Sequence, residues 1–297
     1  MHYSNAVSAI ARAQAGGTPT IDFVSPAVSA LLSAWALADR DAAARIGFGS
    51  ACAGYAANIG LTGVLSGNPI PETTNGERCG RSYTPLASLC THAEVDHCNA
   101  LINSVLRKQL EQHAPDLVKR VSKVIGELHD NIASHACGRG YSAAQTYESG
   151  KPRIEFAIAD CGRGLRRNAR EVDPHIGSDS EAIEWAFAYG NTSARPADPW
   201  AQRGLEGDCD GREDGDDHHQ GIGLWELAQL VTATGGRVWV ATGEASQLLT
   251  GGRWVKLTPV INWPGLAIEL EIPLDSDAGK AKIKETGLEG LAEELGL

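Results

Sequence analysis

The chain contains no hydrophobic stretch long enough to cross a membrane and no cysteine pattern typical of a disulfide framework. Its longest nearly apolar run, PAVSALLSAWALA, has about 13 residues, whereas a membrane-spanning helix needs about 20. The seven cysteines are an odd number without a CxxC pair, which also argues against a zinc ribbon. The N-terminus shows no charged region followed by an apolar one. We therefore expect a cytoplasmic protein.

Basic charge and the common nucleotide-binding loops are missing as well. The net charge of −11 disfavours non-specific binding to DNA or to anionic membranes, because such binding depends on Lys and Arg. The sequence contains neither a GxxxxGK[ST] loop nor a GxGxxG loop after a predicted strand. If the protein binds a nucleotide, a different architecture must hold it.

One group of potential metal ligands is present, in the stretch CTHAEVDHC. It contains Cys90, His92, His97 and Cys98. Their spacing is irregular for a zinc site. Polar residues that flank a helix are therefore the favoured interpretation, and a metal site is the alternative.

The composition is that of a globular chain, with 42% apolar and 21% charged residues. Short strands alternate with helices in the first part, which predicts a small α/β unit with an open sheet. The larger second part also contains predicted helices and strands, and the predicted fold class of the chain is α/β. We predict this division: a small α/β domain (1–65), a linker rich in Pro and Gly (66–82), a larger domain (83–275) with an acidic loop or lid (194–220), and a polar tail (276–297).

A helix that opens at Pro115-Asp116 is predicted to carry a polar stripe beside an apolar one. The apolar positions recur at threes and fours: Leu117, Val121, Val124, Leu128 and Ile132. Within the stretch GELHDNIASHA, Glu127, Asn131 and His135 are spaced four residues apart and therefore form one slightly spiralling stripe. Because this stripe borders the buried face, we expect it at the rim of a cleft. His135 could instead only cap the last turn of the helix.

Two motifs that contain glycine follow this helix. RIEFAIADCGRGL is predicted to form an alternating strand that ends at Asp160, ahead of Gly162 and Gly164. A helix over EAIEWAFAYGNTS should end at Gly190. After the acidic loop, GIGLWEL (221–227) begins another helix, and the N–H groups at such a helix start suit a phosphate.

The order of these three motifs resembles that of the GHKL ATPases, which include gyrase B, the large heat-shock chaperones, histidine kinases and mismatch-repair MutL. GELHDNIASHA resembles their N box, ADCGRG their first glycine box and GIGLWEL their second. The resemblance covers about residues 83–275. It implies the Bergerat fold, a two-layer α+β sandwich that binds ATP and Mg²⁺.

The resemblance also implies a role for each matching position. Asn131 would ligate Mg²⁺, and Glu127 would act as the general base. Asp160 would accept a hydrogen bond from the amine of adenine, while the glycines would let the chain approach the base and the phosphates closely. The other implied ATP-binding positions are His135, Gly162, Gly164, Thr192, Gly221, Gly223 and Leu224.

Three functions remain open from the sequence. The first is a bacterial regulatory ATPase of signalling, stress response or defence, acting with a protein partner or as a homodimer. The second is a protein serine/threonine kinase, because the Glu-x3-Asn-x3-His spacing resembles that of anti-sigma-factor kinases. DFVSPAVSALLSAWAL is similar to the STAS domains that those kinases phosphorylate, and Ser25 and Ser29 lie near its turn. The third is a scaffold that senses ATP or ADP without hydrolysis.

Overall fold

The structure is a computed structural model that describes residues 1–70, 79–110, 115–135, 139–191 and 223–274. Its helices and strands follow in this order: α1 (Tyr3–Gln14), β1 (Thr20–Ile21), α2 (Pro26–Ala38), α3 (Arg40–Ala43), β2 (Gly47–Phe48), α4 (Ser50–Asn58), α5 (Leu61–Leu65), β3 (Ala87–Ser88), α6 (His92–Leu110), α7 (Pro115–His135), β4 (Gly140–Tyr147), β5 (Arg153–Asp160), α8 (Gly164–Val172), α9 (Asp179–Ala186), α10 (Gly223–Thr234), β6 (Arg237–Gly243), β7 (Ala245–Thr250), β8 (Arg253–Leu257) and β9 (Trp263–Pro273). None of these described helices is both long and apolar enough to cross a membrane.

Seven of the strands form one antiparallel sheet in the order β3-β4-β5-β9-β6-β7-β8. Strand β9 lies between β5 and β6, so it joins the two halves of the sheet. Strands β1 and β2 form a separate parallel pair. The described chain therefore combines helices with a large antiparallel sheet, and the expected mixed class is confirmed at this level.

One face of the sheet, called the inner face below, is covered by α6, α7, α9 and α10. Phe156 and Ile158 of β5 and Val240 of β6 point into this core. The predicted apolar stripe of α7 is confirmed, since all of its members are buried: Leu117, Val121, Val124, Leu128 and Ile132. The amphipathic pattern of α7 is thus explained by its packing on the sheet.

The opposite, outer face of the sheet is covered by residues 1–65. Helix α2 packs mainly on β4 and β5, and its side chains share one core with Ala157, Ala159, Trp239 and Trp263. Strand β5 is consequently buried on both faces, and its predicted alternation is wrong. The small side chains on the outer side of β5 leave room for the helix to lie close to the sheet.

Buried carboxylates on the outer face hold the start of the chain. Glu269 accepts the backbone N–H groups of His2 and Tyr3 at 2.7 and 2.8 Å, so it satisfies donors that the first turn of α1 leaves unpaired. Burial raises the pKa of Glu269, and these hydrogen bonds oppose the rise. Glu155 Oε1 lies 3.5 Å from His2 Nε2 and accepts a hydrogen bond from Arg153 Nε at 2.8 Å. The outer face therefore fixes α1 by polar contacts as well as by packing.

Two predicted helix boundaries are wrong. The apolar pattern of SPAVSALLSAWALADRDAAA predicts one helix, but α2 stops at Ala38, because Asp39 caps a new helix by accepting the N–H of Ala42 at 2.9 Å. Helix α9 ends at Ala186 instead of Gly190. Gly190 lies in a later turn with a φ of 76°, a conformation that glycine adopts without strain.

The predicted domain division stays a prediction. The strands of the first unit have two residues each, so helices make up most of residues 1–65. Part of the linker (71–78), the acidic loop (194–220) and the tail (276–297) lie outside the described residues.

Candidate functional site

The polar residues of GELHDNIASHA lie where α7 borders the buried core. Helix α7 begins with Pro115 and has Asp116 in its first turn, as predicted. Glu127 and Asn131 are half-buried beside the apolar stripe, which is the predicted rim position. His135 is the last residue of α7, and its side chain lies outside the described part of the structure.

Glu127 lies directly against the first residue of α10. A methyl group in place of a Gly223 hydrogen would collide with Glu127 Oε2 and would lie 3.1 Å from Glu127 Cβ. A side chain at this position would therefore force the Glu127 carboxylate to move, so glycine favours the close approach of the two helices. Lys123 Nζ lies 2.8 Å from Glu226 Oε1 on α10 and 3.9 Å from Glu127 Oε1. The first and third motifs of the sequence are thus brought together.

The next turn of α7 reaches the end of β5. A Cβ at Gly140, the first residue of β4, would lie 2.8 Å from Ile132 Cγ2. Gly140 is the cross-strand partner of Asp160, and Asn131 directly precedes Ile132 in the helix. All three motifs therefore converge on the C-terminal half of α7.

Asp160 ends β5 with its side chain almost completely enclosed. Its Oδ1 accepts the N–H of Gly162 at 2.7 Å, and its Oδ2 accepts the N–H of Leu266 at 3.3 Å. Desolvation raises the pKa of Asp160 to about 6, although both hydrogen bonds favour the charged form. At pH 7 the carboxylate is therefore mainly ionised, and each oxygen still has a lone pair for a ligand.

The loop after Asp160 is held by contacts that the sequence did not indicate. Gly164 has a φ of +69°, and a Cβ there would lie 3.0 Å from Thr242 Oγ1. Thr242 Oγ1 also accepts the N–H of Leu165 at 3.1 Å, and Trp263 Nε1 donates to the Asp160 carbonyl at 2.9 Å. A threonine at the end of a strand has no motif signal, so only the three-dimensional contacts identify its role.

His129, within the same stretch of α7, is a buried structural residue. Its Nδ1 lies 2.6 Å from Asn99 Oδ1, and its Nε2 lies 2.9 Å from Ser142 Oγ and 3.8 Å from Cys98 Sγ. Because an amide oxygen only accepts, Nδ1 carries the proton and Nε2 accepts the Ser142 hydroxyl. Burial lowers the pKa of His129 to about 3 and raises that of Cys98 to about 12. This neutral cluster ties α7 to α6 and β4.

The structure describes only some of the remaining predicted site residues. Leu224, the second residue of α10, is half-buried against the inner core. Thr192 and Gly221 lie outside the described residues. In CTHAEVDHC, Cys90 is exposed and Cys98 is buried. Across the described ranges, no three His, Cys, Asp or Glu side chains are grouped as a metal site would require.

The convergence around α7 combines a carboxylate, an amide oxygen and a helix that starts at glycine. Such a set can offer N–H donors to a phosphate, an oxygen ligand to a hard cation and an acceptor for a proton. No family model matches this chain, and neither the curated proteins nor the solved structures contain a match.

Proposed function

We propose that the protein is a Mg²⁺-dependent, ATP-binding and ATP-hydrolysing regulator with a GHKL-type Bergerat fold. The observation that supports this most directly is the double contact of α7. Glu127 lies against Gly223, and Ile132 lies against the residue that pairs with Asp160. The three motifs that are far apart in the sequence therefore border one region. An antiparallel sheet with α7 and α10 on one face is compatible with this fold.

Asp160 selects the base in this proposal, and the start of α10 receives the phosphates. An ionised, enclosed carboxylate is a suitable acceptor for the exocyclic amine of adenine. The N–H groups in the first turn of α10, around Gly223, have no partner within the helix itself and would bind phosphate oxygens with help from the helix dipole. Gly223 keeps this helix start free of a side chain.

Glu127 acts as the general base in this proposal. It takes a proton from a water molecule while the water oxygen attacks the γ-phosphorus. The bond from that phosphorus to the bridging oxygen then breaks, which yields ADP and inorganic phosphate. The Glu127 side chain is 25% exposed and lies beside the helix start, so it is accessible to a water molecule next to the phosphates.

Asn131 suits the role of a magnesium ligand. Mg²⁺ in nucleotide sites takes few protein oxygens, because phosphates and water complete its coordination. Asn131 is half-buried and follows Glu127 by one helical turn. When bound, the ion would neutralise charge on the phosphates.

Phosphotransfer to the chain's own Ser25 or Ser29 is less well supported. Both serines are 1% exposed. Ser25 Oγ caps α2 by accepting the N–H of Val28 at 3.2 Å, and Ser29 Oγ donates to the Ser25 carbonyl at 2.9 Å. Phosphorylation of either would require the start of α2 to unfold, so hydrolysis is the favoured activity.

The test uses ATP labelled at the γ-phosphate, with wild type and Glu127→Gln. We expect wild type to release labelled phosphate only with Mg²⁺, and the variant to be slower by about 10²–10⁴-fold, since that is the usual contribution of a general base. Glu244→Gln, which removes an exposed carboxylate elsewhere, should keep full activity.

The other outcomes separate the alternatives. Label on protein would indicate a kinase, and binding without turnover would indicate a sensor. Absence of ATP binding by folded wild-type protein would overturn the proposal. The same holds if Asn131→Ala left the Mg²⁺ dependence unchanged.

A further inference from the structure

A second polar cavity, called the arginine pocket below, opens beside the Asp160–Gly164 loop. Its volume is about 560 Å³. Helix α8 and the residue before it supply four arginines to its lining: Arg163, Arg166, Arg167 and Arg170. The ends of β6 and β9 and the start of α9 supply the other walls.

The four arginines lie on one side of α8, and most of their positive charge is not balanced by a described carboxylate. Their spacing of three and four residues places them on one helical face. Arg163 pairs with Glu171. In the part of the chain that the structure describes, Arg166, Arg167 and Arg170 have no hydrogen-bond or ion-pair partner, and Arg166 Nε is buried without one. Repulsion between like charges and an unpaired buried donor both disfavour this arrangement.

The pocket differs in charge from the rest of the protein. Its lining contains four arginines and one aspartate, Asp179, for a formal charge of +3 in a chain with a net charge of −11. Asp179 Oδ2 already accepts the backbone N–H of Glu244 at 2.9 Å. Asp179 is therefore partly engaged in holding the β6–β7 turn. The positive charge of the guanidinium groups dominates the electrostatic potential in the pocket.

This chemistry suits phosphate groups on a small molecule. Guanidinium groups donate paired hydrogen bonds to phosphate oxygens in a planar geometry. A volume of about 560 Å³ lies in the ordinary range for small-molecule sites. Among the described residues, the pocket lining contains no aromatic side chain, so they offer no surface for stacking the bases of a single-stranded nucleic acid.

We infer that the arginine pocket binds a small molecule with two or more phosphate groups, at a site separate from the proposed ATP cleft. None of the described side chains of α7 or α10 lines it. Among the residues to which we give a role in ATP binding, Gly164 alone contributes to the pocket. Such a ligand would neutralise the arginines and pair the buried donor of Arg166.

The experiment titrates inorganic tripolyphosphate into the full-length protein without Mg²⁺ and measures the heat of binding at physiological salt. The variant Arg166→Gln/Arg167→Gln/Arg170→Gln should bind at least ten times more weakly than wild type. A matched control, Arg107→Gln/Lys151→Gln/Arg253→Gln, removes the same charge from exposed positions and should bind within twofold of wild type. Circular dichroism of each variant checks that it is folded.

A second variant tests the geometry of the contact. Arg166→Lys/Arg167→Lys/Arg170→Lys keeps the charge but loses the paired donors, so its affinity should lie between those of wild type and the glutamine variant. Equal weakening by the glutamine variant and the control would overturn the inference, as would tripolyphosphate binding that neither variant changes. Lack of binding at millimolar concentration, or tighter binding of a single-stranded oligonucleotide that requires the same arginines, would also overturn it.

Discussion

The two faces of the seven-stranded sheet are both covered by helices, but the helices carry different side chains. On the outer face, α2 packs mainly small and apolar residues against β4 and β5, and the strand side supplies Ala157 and Ala159. On the inner face, α7 buries an equally apolar stripe but also presents Glu127 and Asn131 at its rim. The same sheet therefore has one face whose buried polar residues anchor the start of the chain and one that borders the polar residues of the candidate site.

This difference suggests that the outer face mainly stabilises the fold, whereas the inner face also positions the polar residues of the candidate site. A loss of packing on the outer face should lower the stability of the whole unit without changing the polar residues around α7. A loss of packing under α7 should lower stability and also move Glu127 and Asn131. Substitutions on the two faces can therefore separate the two effects.

The largest expected effect comes from removing one buried leucine on either face. Leu31 of α2 and Leu128 of α7 are 0% and 2% exposed, so Leu31→Ala and Leu128→Ala should each lower the free energy of unfolding by about 2–5 kcal/mol. Only Leu128→Ala should also reduce ATP turnover per folded molecule. Urea unfolding and the phosphate-release assay measure the two quantities.

The control for these variants is Val172→Ala, since Val172 is 53% exposed and its loss should change stability by less than about 0.5 kcal/mol. Because residues 1–65 share a core with the sheet, the wild type should unfold in a single transition. Two separate transitions, with only the first shifted by Leu31→Ala, would show instead that residues 1–65 fold as an independent domain.

A smaller effect is expected where α7 meets α10. Gly223→Ala would bring a methyl group into collision with the Glu127 carboxylate, so it should destabilise the protein by about 1–3 kcal/mol and reduce turnover. Gly126→Ala, in the adjoining turn of α7, meets no atom within 4 Å and should stabilise the helix by about 0.5–1 kcal/mol. If both alanines had the same effect on thermal unfolding, the close approach of the two helices would be wrong.

The contrast between the faces also explains which parts of the fold were predictable. Helix α7 was predicted because its apolar residues recur with the helical period over five positions. The alternation predicted for β5 was wrong, because no local pattern shows that residues 1–65 cover the outer side of Ala157 and Ala159. Strand β4, GYSAAQTY, was not identified, since small and polar residues dominate it and give no clear period.

The candidate site likewise contains residues that the sequence predicts and residues that it does not. Glu127, Asp160 and Gly223 were selected by the order of their motifs, and the structure brings the turns that carry them together around α7. Thr242 and the Lys123–Glu226 pair were not predicted. They join elements far apart in the sequence, and such contacts leave no spacing pattern. A single sequence therefore identifies residues with distinctive chemistry better than it identifies those that hold them in place.

The last effect concerns the pH dependence of stability and distinguishes two buried groups near the inner face. The pKa of His129 is lowered from 6.5 to about 3, so between these pH values the unfolded chain binds a proton that the folded protein does not. Stability from this group is therefore lost as the pH falls below about 6.5. The pKa of Asp160 is raised from 3.8 to about 6, so its ionisation favours the unfolded chain as the pH rises through that range. Between about pH 6 and pH 4 the two effects oppose each other.

Asp160→Asn removes the contribution of Asp160 to this pH dependence and leaves that of His129. Between pH 6 and pH 4 the slope of stability against pH should be steeper in the variant than in wild type, by up to about 1.4 kcal/mol per pH unit, because Asp160 no longer offsets the proton that His129 takes up on unfolding. Urea unfolding at several pH values measures each slope. If the amide changes the free energy of unfolding equally at every pH, the slope is unaffected. Adding His129→Gln to the variant should flatten the slope again. Identical slopes for wild type and Asp160→Asn would mean that burial does not raise the pKa of Asp160, and the proposed binding of adenine would lose its enclosed acceptor.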